Sequence, residues 1–231
     1  MKPMRSLPKT LAPLVLAAAL LVSPEAAPQR LSKPQPSIAA PTLSVDDFAL
    51  AAHNDRDDEV RAMLARGMDP ETVGPDGNPV LVTAAREGSA KVVDVLLAAG
   101  AKVDHANAYG DTALKLAALH GRIAIARKLR ARKAALDPPG WTPLIYAATG
   151  GHDEMVRYLL AEGARIDAVS PNGTTALMMA VREEKFSTAE LLISRGANVN
   201  VRNENGATAL EWAERSGDGA LVERLKRAGA R

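Results

Sequence analysis

The 231-residue chain contains no cysteine. That excludes a disulfide scaffold, a thiolate zinc site, a thiol nucleophile and a lipidated N-terminal cysteine. Aromatics are scarce, with two Trp, three Tyr and two Phe, too few for a platform that stacks bases. Charge of one sign is lacking too. The 29 Lys and Arg stand against 27 Asp and Glu, and a net +2 is too small for a surface that wraps nucleic acid. Neither Gly-x-Ser-x-Gly, His-Glu-x-x-His nor a phosphate-binding loop occurs, and the four histidines, His53, His105, His120 and His152, lack metal-ligand spacing. These absences predict a chain without catalysis, cofactor or metal. What is present is aliphatic, and 47% hydrophobic residues suffice for a core of ordinary domain size.

The start of the chain reads as an address. Lys2, Arg5 and Lys9, without an acid among them, precede the apolar run at residues 11–22, which is too short to span a bilayer as a helix. This is the pattern of a secretory signal over residues 1–27. Residues 23–28 carry small side chains but no Ala-x-Ala, so an uncleaved membrane anchor facing the periplasm is the alternative. Prolines at 28, 34, 36 and 41 make residues 28–43 a Pro-rich linker. Removing the signal leaves 26 charges of each sign, so the basic bias belongs to the signal. Export to an oxidising compartment, with the periplasm as destination, suits a chain without thiols.

A repeat organises the rest. Ala51 recurs as Ala84, Ala117, Ala147, Ala180 and Ala213, in steps of 33, 33, 30, 33 and 33. An apolar residue stands three positions earlier each time, at Phe48, Leu81, Leu114, Leu144, Leu177 and Leu210. Periodicity of this length means stacked supersecondary units. Gly-x-Thr at 110–112, 140–142, 173–175 and 206–208 reads as a turn followed by a helix N-cap, with Pro143 at a first helical position. An amphipathic second helix follows, closed by Gly-Ala at 100–101, 163–164 and 196–197, where glycine takes the left-handed cap. Ser44 offers a capping box before Phe48, and charged residues around Lys226 suit a terminal cap.

These residues resemble ankyrin repeats, above all Gly140-Trp141-Thr142-Pro143-Leu144 through His152 to Gly163-Ala164. The resemblance covers residues 46–231 in six units, 46–78, 79–111, 112–141, 142–174, 175–207 and 208–231. It implies an all-α solenoid of helix-turn-helix units, with β-turn fingers beside a concave face. It also implies protein–protein recognition without cofactor or catalysis. Val82, Lys115, Ile145, Met178 and Glu211 replace the family's histidine after Thr-Pro-Leu, which predicts that its hydrogen bond to the turns is missing. The match of His152 to the family's Gly-His implies a structural role.

The third unit is irregular. Lys133 stands where other units have glycine, and a three-residue deletion follows, so the shortened turn is expected no longer to demand a left-handed residue. Arg122, Arg127, Lys128, Arg130, Arg132 and Lys133 form a basic run without an acid. It reads as a solvated helix face, or else as a dock for an acidic protein surface or anionic envelope polymer.

The resemblance places recognition on the fingers and the inner helix face. On the fingers the candidates are Asp76, Asn78, Tyr109, Asp111, Trp141, Asn172, Thr174, Arg202, Glu204 and Asn205. On the inner helices they are His53, Asn54, Arg86, Glu87, Leu119, His120, Thr149, Arg182, Glu183 and Arg215. Tyr109 and Trp141 stand out as aromatics of the kind in which interface energy concentrates, with packing over the adjacent turn as the other reading of Trp141. Trp212, Tyr146 and Phe186 are assigned to packing, and Asn172-Gly173-Thr174 to a turn rather than a glycosylation acceptor. The expectation is an exported, monomeric, non-catalytic binding protein for an envelope partner. The alternatives are an accessory or inhibitory subunit of an envelope enzyme, or a membrane-tethered spacer.

Overall fold

A computed structural model describes residues 43–231. The expected signal, and all but the last residue of the expected linker, lie outside the described residues.

Twelve helices run through the described residues in six antiparallel pairs. These are α1 (Val45–His53) with α2 (Asp57–Ala65), α3 (Val80–Glu87) with α4 (Ala90–Ala98), and α5 (Ala113–Leu119) with α6 (Ile123–Ala131). They continue as α7 (Pro143–Gly150) with α8 (Asp153–Ala161), α9 (Ala176–Arg182) with α10 (Phe186–Ser194), and α11 (Ala209–Ser216) with α12 (Gly219–Arg227). Odd-numbered helices pack on odd-numbered ones and even on even, giving an inner and an outer row. Helices this short are not stable alone in water, so the stack itself must hold them.

The inner helices begin where the Thr residues predict. Thr112, Thr142, Thr175 and Thr208 each accept a hydrogen bond from the backbone N–H three residues on, at 3.2–3.4 Å. Ser44 does the same for α1 through Asp47 N, whereas the reciprocal capping box forms at Thr208 and Glu211. The apolar positions that the repeat marks, from Phe48 to Leu210, are buried, and so are the Ala84-Ala85, Ala117-Ala118 and Ala147-Ala148 pairs. Small residues let neighbouring inner helices approach, and the core continues from unit to unit.

Fingers join the pairs, with single antiparallel bridges at Val73–Pro79 and Val169–Thr175. A polar ladder ties each finger to the next unit. Glu71 accepts from Lys102 N at 2.7 Å, Asp104 from Ala135 N at 3.0 Å, and Asp137 from Arg165 N at 3.2 Å. Asp167 accepts from Asn198 N at 2.8 Å, and Asn200 closes the series at Arg231 N. The ladder steps over the three-residue deletion without losing a rung. A second tie runs behind the inner helices: Ser89 donates to His53 O, Arg122 to Arg86 O, and His152 Nε2 lies 2.8 Å from Leu119 O. A carbonyl only accepts, so His152 carries its proton on Nε2.

Three expectations need correction. Lys133 has φ +66°, so the trimmed turn keeps the left-handed residue that Gly100 supplies at φ +93° elsewhere. The reason is the preceding helix end, since Lys133 N still bonds Arg130 O and Ala134 N still bonds Leu129 O, closing α6 as the other outer helices close. Phe186 opens α10 at the surface, 36% exposed, because the first turn of an outer helix lies at the edge of the stack. The bond of the absent histidine is partly replaced: Lys115 is buried and its Nζ donates to Gly110 O at 2.7 Å. Burial also lowers the Lys115 pKa, with Asp111 opposing. Val82, Ile145 and Met178 leave their places to apolar packing.

Candidate protein interface

The inner row and the fingers place the expected contact residues in three groups. At the N-terminal end, Arg86 is bound on both sides. Its Nε donates to Glu87 at 2.7 Å and its terminal nitrogen lies 3.2 Å from Asp76. The hydrogen bond to Glu87 is the largest cause of its raised pKa. Burial pushes the Asp76 carboxyl upward, yet its bonds from Asn78 and the Arg86 guanidinium outweigh that and hold it below the ordinary value. His53 stands 3.7 Å from Glu87. His120 is exposed at the end of α5, and its pKa is lowered by desolvation and by the Arg122 charge.

Further along, four expected residues meet. Leu119, Trp141, Thr149 and Arg182 line one hollow of about 220 Å³ with Tyr146 and Met179. Trp141 is half-buried and meets the Tyr146 ring edge-on, with centroids 6.0 Å apart and planes at 74°. Tyr146 in turn donates its hydroxyl to Asp111, which makes Asp111 a support for the hollow rather than its surface. Desolvation and that bond raise the Tyr146 pKa well above the phenol range. Thr149 turns its hydroxyl back to Ile145 O at 2.8 Å, which occupies its polar group within the helix.

A second hollow adjoins it. Arg182 also lines this space of about 390 Å³, together with Val181, Glu184, Trp212, Arg215 and Ser216. Trp212 therefore does more than pack. It is half-buried against the core and also forms a wall of this hollow. No sequence pattern announced this, since the repeat places Trp212 one residue before the buried Ala213.

Other candidates are placed elsewhere. Tyr109 projects from its finger, 91% exposed, and lines neither hollow. Asn172 accepts from Ser170 Oγ and Thr174 N, and its carbonyl accepts from Glu204 N of the next finger. Arg202 donates to Gly206 O at 2.6 Å and lies 3.5 Å from Glu211. Thr174 corrects the sequence reading, because it is only 1% exposed and faces into the stack. Asn78 is likewise buried, bridging to Asn107 Nδ2 at 2.7 Å. In both cases the finger folds back on itself, hiding the residue that a linear count puts at its tip.

The basic run belongs to the outer row. Lys128 pairs with Asp94 of α4 at 2.5 Å, and Arg130 with Glu162, the C-cap of α8, at 3.3 Å while also donating to Ala134 O. Arg132 donates to Leu97 O at 2.9 Å, Arg122 to Arg86 O, and Arg127 lies 5.0 Å from the Tyr158 ring centroid. Neighbouring units thus supply the acids that the run itself lacks, and Lys133 is spent as a helix terminus. Among the described residues no three His, Cys, Asp or Glu converge to hold a metal ion, and no helix is long and apolar enough to cross a membrane.

Paired helices stacked in two rows, with projecting turns and an aromatic and arginine-lined inner face, define a repeat protein of the interaction class. The family model for ankyrin repeats (3 copies) matches residues 48–137, 131–203 and 169–231, and the chain belongs to the ankyrin-repeat family. Over 93 residues it is 36% identical to the Transient receptor potential cation channel subfamily A member 1 homolog of Caenorhabditis elegans, covering 39% of this chain and 8% of that protein. It is 32% identical over 124 residues to the Ankyrin repeat and KH domain-containing protein mask-1 of the same organism, covering 52% of this chain and 5% of that protein. Protein fem-1 homolog A-like of Mus musculus is 32% identical over 96 residues, 41% of this chain and 15% of that protein. The chain thus spans a small part of each relative's length. Family and relatives support a protein–protein interaction module.

Proposed function

We propose that this protein is an exported, non-catalytic interaction module that binds a protein partner of the cell envelope through its inner helix face. The observation that carries this reading is the adjacency of the two hollows. Trp141, Arg182, Trp212 and Arg215 line two hollows that share Arg182 as a common wall, and Trp and Arg are the residues in which binding energy concentrates. The outer-row hollows of about 310 and 400 Å³, the first lined by Arg61, Lys91 and Asp94 among others and the second by Leu160, Ile166 and Arg195, have no tryptophan in their walls, and the basic run of that row is engaged by neighbouring units. Lys2, Arg5, Lys9 and the apolar run at residues 11–22 support export, and the absence of cysteine suits an oxidising compartment.

Two measurements test it. Fractionation with the mass of the mature chain should show a periplasmic protein shortened by about 27 residues at its N-terminus. A full-length or cytoplasmic product contradicts soluble export. Affinity capture from envelope extracts should recover a partner with the wild type and lose it with Trp141→Ala combined with Arg182→Ala. Retention of every captured protein by the double variant contradicts the inner-face assignment.

A further inference from the structure

We infer that the trough over α7, α9 and α11 receives an extended segment of the partner that pairs a bulky apolar side chain with an acidic one. The apolar side chain sits beside Trp141 and the carboxylate on Arg215. This rests on the inner-face reading and adds the chemistry of the occupant to it.

The hollow at Trp141 supplies the apolar half. Leu119, Trp141, Tyr146 and Met179 give it a hydrocarbon and aromatic floor, and the Tyr146 hydroxyl is already taken by Asp111, so its ring is what remains to offer. At about 220 Å³ it is below the roughly 300–1,000 Å³ typical of small-molecule pockets, and suits a single side chain.

The adjoining hollow supplies the charge. Among its lining residues Arg182 and Arg215 face one acid, Glu184. Arg182 is already held by Glu183 at 2.8 Å, whereas Arg215 makes no ion pair among the described residues and is exposed in the last turn of α11. A guanidinium beside an indole, lacking a carboxylate of its own, is a site for bidentate recognition of a carboxylate from outside. The other end of the inner face differs in this respect, because Arg86 there is saturated by Asp76 and Glu87. Acid preference is therefore local to the α9–α11 end. Arg182 lines both hollows, so one chain laid along the trough reaches both, which favours an internal Asp or Glu of an extended segment.

The test uses random dodecapeptides displayed on phage, selected on the full chain, then synthesised and measured by fluorescence anisotropy. The expected consensus joins Leu, Ile, Phe, Tyr or Trp to an Asp or Glu. Its binding should weaken roughly 10- to 100-fold with Arg215→Glu, and comparably with Trp141→Ala. Replacing the peptide's acid with Lys should restore binding to the Arg215→Glu variant. A consensus without an acid, sensitive to Trp141→Ala but not to Arg215→Glu, overturns the carboxylate assignment and leaves the inner-face reading standing. Peptides indifferent to both variants overturn both readings, and selection of no consensus overturns the proposed occupant.

Discussion

Replacing Lys133 with glycine should stabilise the protein, although Lys133 lies in the most irregular unit and glycine is the poorest helix former after proline. Lys133 holds φ +66°, and a Cβ in that region costs roughly 1–2 kcal/mol. Glycine removes this strain but returns about 0.5–1 kcal/mol through the greater freedom of its unfolded chain. The net gain is about 0.5–1 kcal/mol, which for a domain of this size raises the melting temperature by roughly 1–4 °C. Gly100 provides the mirror experiment. A Cβ built there meets nothing within 4 Å, so Gly100→Ala tests conformation without steric clash and should lose a similar amount. Lys133→Ala keeps the Cβ and removes the charge, and should leave stability nearly unchanged. Thermal unfolding followed by far-ultraviolet circular dichroism distinguishes the three. A gain with Lys133→Ala equal to that with Lys133→Gly would mean that charge relief, and not backbone strain, governs the site. No gain with Lys133→Gly would refute the reasoning outright.

Three further outcomes follow from the packing. Gly150→Ala should destabilise by about 1–3 kcal/mol despite the roughly 1 kcal/mol helix-propensity gain, because the new Cβ would collide with the Leu119 carbonyl oxygen and stand 2.5 Å from the His152 ring; a rise in melting temperature would contradict this contact. Tyr146→Phe should cost about 1–3 kcal/mol at neutral pH by stranding Asp111. The raised folded pKa of Tyr146 also means that its contribution is complete below the ordinary phenol value of about 10 and is lost as pH rises further, so alkaline denaturation curves of wild type and variant should converge; parallel curves would argue against the coupling. Asp104→Ala removes a rung of the finger ladder and should cost about 1 kcal/mol, with faster amide exchange at Ala135 as the local readout; unchanged exchange there would show that the rung carries no load.

Much of the fold was legible because its signals are local. Thr112 and Thr142 announce helix starts from their own hydrogen-bonding chemistry, and Ala147 or Leu177 mark the core by periodicity. What could not be read depends on residues about thirty positions apart. Asp104 looks like an ordinary finger residue until the next unit brings Ala135 N to it, and the ladder is a pattern only once the stack exists. The basic run looked unopposed because Asp94 and Glu162 lie outside it in sequence and beside it in space. Thr174 and Asn78 were placed on the surface by counting along the finger, whereas the turn folds them inward. For the candidate interface, Trp141, Thr149, Arg182 and Arg215 were identifiable from their phase in the repeat. Trp212 was not, since a large residue next to a core alanine reads equally well as packing.

The inner-face claim is tested most directly by site-specific photo-crosslinking in the native envelope. A photoreactive side chain at Thr149 or Ser216, beside the two hollows, should trap one and the same partner. The same group at Arg157 or Glu190, exposed on the outer helices α8 and α10, should trap none. A partner captured from the outer positions and not from the inner ones would contradict the account.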